Sequence, residues 1–187
     1  MTPQLWVFAG PNGAGQSTIA DRYAAGRGPV VNPDTIAREL PPDLDQLTRA
    51  VRAGRIAVRQ RAALLEARQS FAIETTLTGH SELDLMRAAA AAGFKVNLIY
   101  LGVRDVQHSI GRVRERTARG GHDVALADLL RRFDRSLANL RVAMKFADRV
   151  ILIDNSGRRR QLVLVREGDR VKYIASERPE WVLEGWL

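Results

Sequence analysis

The sequence predicts an α/β fold of three layers: a mainly parallel five-stranded sheet between helices, a helical lid and a C-terminal β-hairpin. Three observations lead there. Apolar runs of strand length alternate with amphipathic stretches of helix length, the pattern of parallel strands joined by right-handed crossovers. The first strand run opens directly into Gly10-Pro11-Asn12-Gly13-Ala14-Gly15-Gln16-Ser17-Thr18, which has the spacing of a phosphate-binding P-loop with Gln16 in the lysine position. Near the C-terminus, Glu167-Gly168-Asp169 separates two strand-like runs, a hairpin signal.

Composition narrows the class. A chain of 187 residues with 45% hydrophobic content fits one domain, 1–187, with a real core. No run of ~18 apolar residues occurs, and Met1 to Gln4 leads straight into a strand without a basic-then-apolar leader, so a soluble cytoplasmic protein without membrane partners is expected. The absence of cysteine excludes disulfides and thiolate metal sites, and His80, His108 and His122 are too scattered for a metal-ligand pattern. Catalysis would fall to carboxylates, hydroxyls, arginines and a bound ion. The net charge of +8 suits an anionic small substrate or an arginine-rich surface. It argues less for nucleic acid, because Arg158-Arg159-Arg160 is the one clustered basic run and aromatics are few.

The elements follow in order. Leu5 to Ala9 is an apolar strand and Ser17 opens a helix. Between them, glycines 10, 13 and 15 let the backbone turn its N–H groups inward, and the helix N-terminus adds partial positive charge, forming a cradle for polyphosphate. Ser17 is placed to hold Mg²⁺, whereas Gln16 keeps the shape of the cradle and loses the lysine's charge. Val30-Val31-Asn32 is a short strand stopped by Pro33. Asp34 then stands beyond the strand's carboxyl end, where a carboxylate reaches a phosphate and an acceptor hydroxyl; the alternative is a plain cap for a helix starting at Thr35.

After Pro41-Pro42, Leu47, Val51, Val58, Ala62 and Leu65 predict the inward face of a long helix, with Arg49, Arg52, Arg59 and Glu66 opposite. Phe71-Ala72-Ile73 reads as a buried strand that delivers Glu74-Thr75-Thr76 to its end, either as acceptor ligands or as the start of the Leu77-Thr78-Gly79 turn. Glu82 to Ala92 reads as a helix closed by Gly93, and Lys95 to Leu101 as a strand covered on both faces.

From Asp105 to Ala118, Val106, Ile110, Val113 and Thr117 form one helix face while Arg112, Arg116 and Arg119 form another. That arginine stripe is either a solvated face or part of a lid, at about 105–135, hinged at Gly120-Gly121-His122-Asp123. Arginines on a lid close over a transferring phosphate. A helix from Ala125 to about Phe146 is expected to bury Leu126, Leu130, Phe133, Leu137, Leu140 and Met144, leaving Arg131, Arg132 and Arg135 off that stripe. Arg149 to Ile153 is a strand ending in Asp154-Asn155-Ser156, and a hairpin spans about 159–176, packed by Trp181 and Trp186.

Taken together, Gly10 to Thr18, Val31-Asn32-Pro33-Asp34, Ile73-Glu74-Thr75-Thr76, Arg112 to Asp123, Arg131 to Leu137 and Ile153-Asp154-Asn155-Ser156 resemble the zeta toxin family of P-loop kinases, particularly its short bacterial members. The resemblance spans roughly Gln4 to Ser156 and implies a three-layer P-loop NTPase fold. It also implies transfer of the γ-phosphate of ATP or GTP, with Mg²⁺, to a hydroxyl of a UDP-activated sugar such as UDP-N-acetylglucosamine. Carried onto this sequence, Asp34 matches the general base and Glu74 and Thr76 match acceptor-binding residues, with Thr75, Arg112, Arg119 and His122 beside them. Arg116 with Arg131 or Arg132 matches the arginines on the transferring phosphate, and Asn155 lies near the nucleotide. A small helical antitoxin is the partner the family implies. Gln16 is expected to leave this form inactive or strongly impaired. The readings that compete are a catalytically silent nucleotide-binding module and a P-loop kinase for another small molecule or a nucleic-acid end.

Overall fold

The computed structural model of the chain describes residues 1–24, 28–120 and 124–182. Strands β1 (Gln4–Ala9), β2 (Val30–Val31), β3 (Phe71–Thr75), β4 (Lys95–Gly102) and β5 (Arg149–Asp154) are all parallel where they pair. Antiparallel β6 (Gln161–Glu167) and β7 (Arg170–Ile174) complete a seven-stranded sheet of order β2-β3-β1-β4-β5-β6-β7. The C-terminal hairpin expected from sequence therefore continues the sheet by hydrogen bonding along β5. Trp181 is buried in the same core cluster as Val163 and Leu164 of β6, its ring 5.7 Å from that of Tyr100 and its indole N–H donating to Asp154 at 2.8 Å. Trp186 lies outside the described residues.

Helices α1 (Gln16–Ala24), α2 (Pro33–Glu39), α3 (Gln46–Glu66), α4 (His80–Ala91), α5 (Val106–Ala118) and α6 (Leu126–Phe146) connect and cover the strands. The central strand alternates strictly. Leu5, Val7 and Ala9 belong to a large core with Ala57 of α3, Met86 of α4 and Leu140 of α6, while Trp6 and Phe8 pack on the other face with Ala20 of α1. Burial on both faces explains why β1 and β4 read as nearly unbroken apolar runs.

Two helical faces differ from expectation. In α3 the inward residues are Ala53, Ala57 and Arg61, with Leu64 and Leu65 packed beside them, whereas Leu47, Val51 and Val58 are exposed. The small alanines let the helix approach closely, so the more apolar stripe lost to the better-fitting one. In α6 the first turn buries Leu129 and leaves Leu126 and Leu130 exposed, because Leu129 completes a small cluster with Ile110 and Val113 of α5. From Phe133 onward, Phe133, Leu140 and Met144 are buried and Leu137 is partly so.

Candidate active site

The P-loop folds as a tight cradle between β1 and α1. Gly10 has φ +154°, and a Cβ there would stand 2.3 Å from the Leu101 carbonyl oxygen, so only glycine lets the loop pass β4. Gly13 has φ +78° and lies against α5, where a Cβ would meet the Arg112 Cβ at 3.1 Å. The loop is fastened on several sides. The Ala14 N–H donates to the Pro11 carbonyl at 3.0 Å, the Ser109 hydroxyl donates to the Asn12 carbonyl, and Asn155 Nδ2 donates to the Ala14 carbonyl at 2.8 Å. Asn155, expected near the nucleotide, thus braces the loop backbone.

Gln16 is not the exposed side chain that a loop position suggests. It is 6% exposed, and its amide donates to the carbonyls of both Gly10 and Pro11. The loop is closed on itself by a neutral group at the position where the motif usually carries a lysine.

A cavity of about 530 Å³ opens beside the cradle, at the carboxyl ends of the parallel strands. Asn12, Gly13, Gly15, Gln16, Ser17 and Thr18 of the P-loop form one side of it. Asp34, Glu74, Thr75 and Thr76 line another part, and Arg112, Arg116 and Arg132 a third. Asn32 and Pro33 complete the wall beside Asp34, and Arg61 and Glu82, which carried no motif signal and were missed from sequence, complete the lining.

Local structure fixes each carboxylate. Asn32 caps α2 by accepting from the Asp34 N–H at 2.8 Å, with Pro33 in the first turn, so the helix begins two residues before Thr35 and Asp34 is not its cap. The exposed Asp34 carboxylate makes no hydrogen bond among the described residues and faces the cavity. Glu74 accepts from the Ser17 hydroxyl at 2.6 Å and from Asn32 Nδ2 at 2.6 Å. Burial raises the Glu74 carboxyl above its ordinary value, the Ser17 hydrogen bond opposes this, and the neighbouring Asp34 and Asp21 charges add to the rise. Ser17 and Glu74 together present hard oxygen donors of the kind Mg²⁺ takes, beside a phosphate cradle.

Thr75 and Thr76 start the turn, and they also stand on the cavity wall, where acceptor ligands were expected. Both line the cavity, and Thr75 Oγ1 also accepts from the Leu77 N–H at 2.9 Å while Thr76 and Thr78 hydroxyls lie 3.1 Å apart. Leu77 adopts φ +56°, a left-handed conformation that is uncommon for leucine, and its side chain is fully buried. Asn139 of α6 stabilises this turn by donating to the Leu77 carbonyl at 2.9 Å.

The arginine stripe divides. Arg112 and Arg116 face the cavity, with Arg112 Nη1 3.4 Å from the Gly13 carbonyl oxygen. Arg119 lies further along, paired with Glu115 at 2.6 Å, and lines only a shallower neighbouring recess. On α6, Arg132 lines the cavity whereas Arg131 is half exposed, paired with Asp128 at 2.6 Å and absent from the lining. Of the two candidates for the transferring phosphate, the site therefore receives Arg132 and not Arg131, because one residue along a helix turns the side chain by about 100°. His122 lies outside the described residues.

A glycine cradle at the first strand–helix junction of a three-layer, mainly parallel sheet defines the P-loop NTPase class of α/β proteins. Within that class the chain belongs to the AAA domain family, whose model matches residues 5–140. An uncharacterized protein of Haemophilus influenzae is 31% identical over 129 residues, covering 65% of this chain and 91% of the relative. Among solved structures, the AvrRxo1-ORF1:-ORF2 complex with ATP matches with a TM-score of 0.74 at 18% identity, over 91% of this chain and 60% of the matched one. The PezAT chromosomal toxin-antitoxin system of Streptococcus pneumoniae matches with a TM-score of 0.62 at 15% identity, over 83% of this chain and 69% of the matched one. The chain thus spans about three fifths of the AvrRxo1 chain, and these similarities concern the fold. Among the described residues, no helix is long and apolar enough to cross a membrane.

Proposed function

We propose that the protein is a zeta-toxin-like kinase that moves the γ-phosphate of ATP or GTP to a hydroxyl of a UDP-activated sugar such as UDP-N-acetylglucosamine, as the toxin of a toxin-antitoxin pair. The observation that carries the reading is the position of Asp34. Its carboxylate is free of hydrogen bonds among the described residues and faces a cavity shared with the phosphate cradle. A base so placed accepts the proton of an acceptor hydroxyl as that oxygen attacks the γ-phosphate.

The other residues position and neutralise. The P-loop amides hold the phosphates, and Arg112, Arg116 and Arg132 offset charge on the transferring group. Ser17, with Glu74 hydrogen-bonded behind it, would hold Mg²⁺, which would supply positive charge against the phosphates. Fold similarity to a complex with ATP and to a toxin-antitoxin system supports nucleotide use and a protein partner. Gln16 supplies no charge, so the native chain is expected to transfer phosphate slowly. A second reading, a silent nucleotide-binding module, is favoured by the Gln16 amide being tied to Gly10 and Pro11.

The two separate on incubation of the native and Gln16→Lys proteins with ATP, Mg²⁺ and a pool of UDP-sugars, followed by mass spectrometry. The kinase reading expects one added phosphate on a UDP-sugar, formed about 10² to 10³ times faster by the lysine form. No phosphorylated product from either form, together with no growth arrest on expressing Gln16→Lys, would leave the silent module.

A further inference from the structure

Arg61 and Glu82 form a pair that the fold gains little by burying. Arg61, on the inward face of α3, is 5% exposed, and its Nη1 stands 3.6 Å from Glu82 Oε1 at the start of α4. That distance is an ionic contact and not a hydrogen bond. Arg61 Nε and Glu82 Oε2 are both buried without a hydrogen-bond partner among the described residues. Burial also pushes the Arg61 guanidinium down from its ordinary value, with Glu82 opposing the shift. Well-packed apolar residues of similar volume usually stabilise such a position as well or better. Yet both side chains line the cavity that holds Asp34 and the phosphate cradle.

Charge is sorted across this cavity. Helices α5 and α6 bring Arg112, Arg116 and Arg132, whereas α2, β3 and α4 bring Asp34, Glu74 and Glu82. Phosphate is stabilised beside the arginines and repelled beside the carboxylates. Next to the Arg61–Glu82 pair the charges cancel, so neither an anion nor a cation gains there. A hydroxyl donates and accepts at once, and can therefore answer both partners.

We propose that the Arg61–Glu82 pair is an acceptor-recognition subsite for an uncharged, hydroxylated ring, the sugar moiety of a nucleotide sugar, with Arg61 donating to its oxygens and Glu82 accepting from its hydroxyls. This rests on the kinase reading and adds to it a specificity determinant that acts beside the base. The test is calorimetric titration of the full chain with Mg·ATP, UDP, UDP-N-acetylglucosamine and UDP-glucuronate. Native protein, the Glu82→Gln variant and the double variant Arg61→Met/Glu82→Met are compared, with the melting temperature of each.

Native protein is expected to bind UDP-N-acetylglucosamine at least about tenfold tighter than UDP, as a charge-assisted hydrogen bond allows, and UDP-glucuronate without that advantage. The double variant is expected to melt no lower than native, to keep its ATP affinity and to lose the tenfold difference; Glu82→Gln is expected to reduce it. A native chain with no sugar advantage overturns the subsite, as does a double variant that keeps it. A double variant that unfolds, with Glu82→Gln retaining full discrimination, overturns it in favour of a structural pair. In each of those cases ATP binding leaves the kinase reading standing, whereas a native chain that binds neither ATP nor any UDP-sugar overturns both.

Discussion

Gln16 puts a buried neutral amide where the motif usually carries a lysine. Its amide satisfies two loop carbonyls from a buried position, so replacing it removes internal hydrogen bonds as well as altering charge. Gln16→Ala is accordingly expected to lower stability by about 1 to 3 kcal/mol, measured by urea denaturation, because the Gly10 carbonyl loses the amide that donates to it and the Pro11 carbonyl keeps only the Ala14 N–H. Glu74 makes a second case. Its carboxyl is held above its ordinary value chiefly by burial, so the folded state binds that proton more readily than the unfolded chain does. Linkage then fixes the sign: the stability contribution is fully present below the unfolded value of about 4.3 and is lost as pH rises through the folded one. Melting temperatures of the nucleotide-free protein taken upward from about pH 4 should carry this downward component, and Glu74→Gln should remove it. An unchanged slope in Glu74→Gln would assign the pH dependence to other groups.

Between elements, the important joints are α5 on the P-loop and α6 on the turn after β3. Gly13 admits α5 so closely that Arg112 reaches the loop, which turns a helix with a plain arginine stripe into one wall of the cavity. Asn139 fixes the Leu77 turn and thereby the height of Thr75 and Thr76. Asn139→Ala should cost about 1 to 3 kcal/mol in urea denaturation by leaving the Leu77 carbonyl without its donor, with nucleotide affinity unchanged. A loss of affinity without a loss of stability would mean that Asn139 acts on the cradle and not on the turn. Sequence periodicity located these helices well but misjudged their rotation in α3 and in the first turn of α6. Periodicity reports which residues are apolar, whereas the inward face is chosen by fit, and in α3 small alanines fitted better than Leu47, Val51 and Val58.

At the scale of the whole molecule, the fold was legible because the central strands β1 and β4 are buried on both faces and the crossovers carry a helical period. The hairpin was legible as a hairpin from Glu167-Gly168-Asp169, but its hydrogen bonding to β5 was not, since pairing between distant strands leaves no local pattern. The candidate site divides along the same line. The cradle, Asp34, Glu74 and the arginines announced themselves through position after strands or spacing along helices. Arg61 and Glu82 did not, because they come from separate helices and resemble ordinary surface charges until the fold buries them together. The exposed, unbonded Asp34 carboxylate between cradle and cavity is what joins these parts into one catalytic account.

The most direct test of that account is a single-turnover measurement of γ-phosphate transfer from ATP to UDP-N-acetylglucosamine by Gln16→Lys and by Gln16→Lys/Asp34→Ala, with Mg·ATP affinity measured on both. The predicted result is transfer by the first protein and its loss in the second, at ATP affinities within about threefold, since a base acts on the attacking hydroxyl and not on nucleotide binding. Equal transfer rates in the two proteins would contradict it.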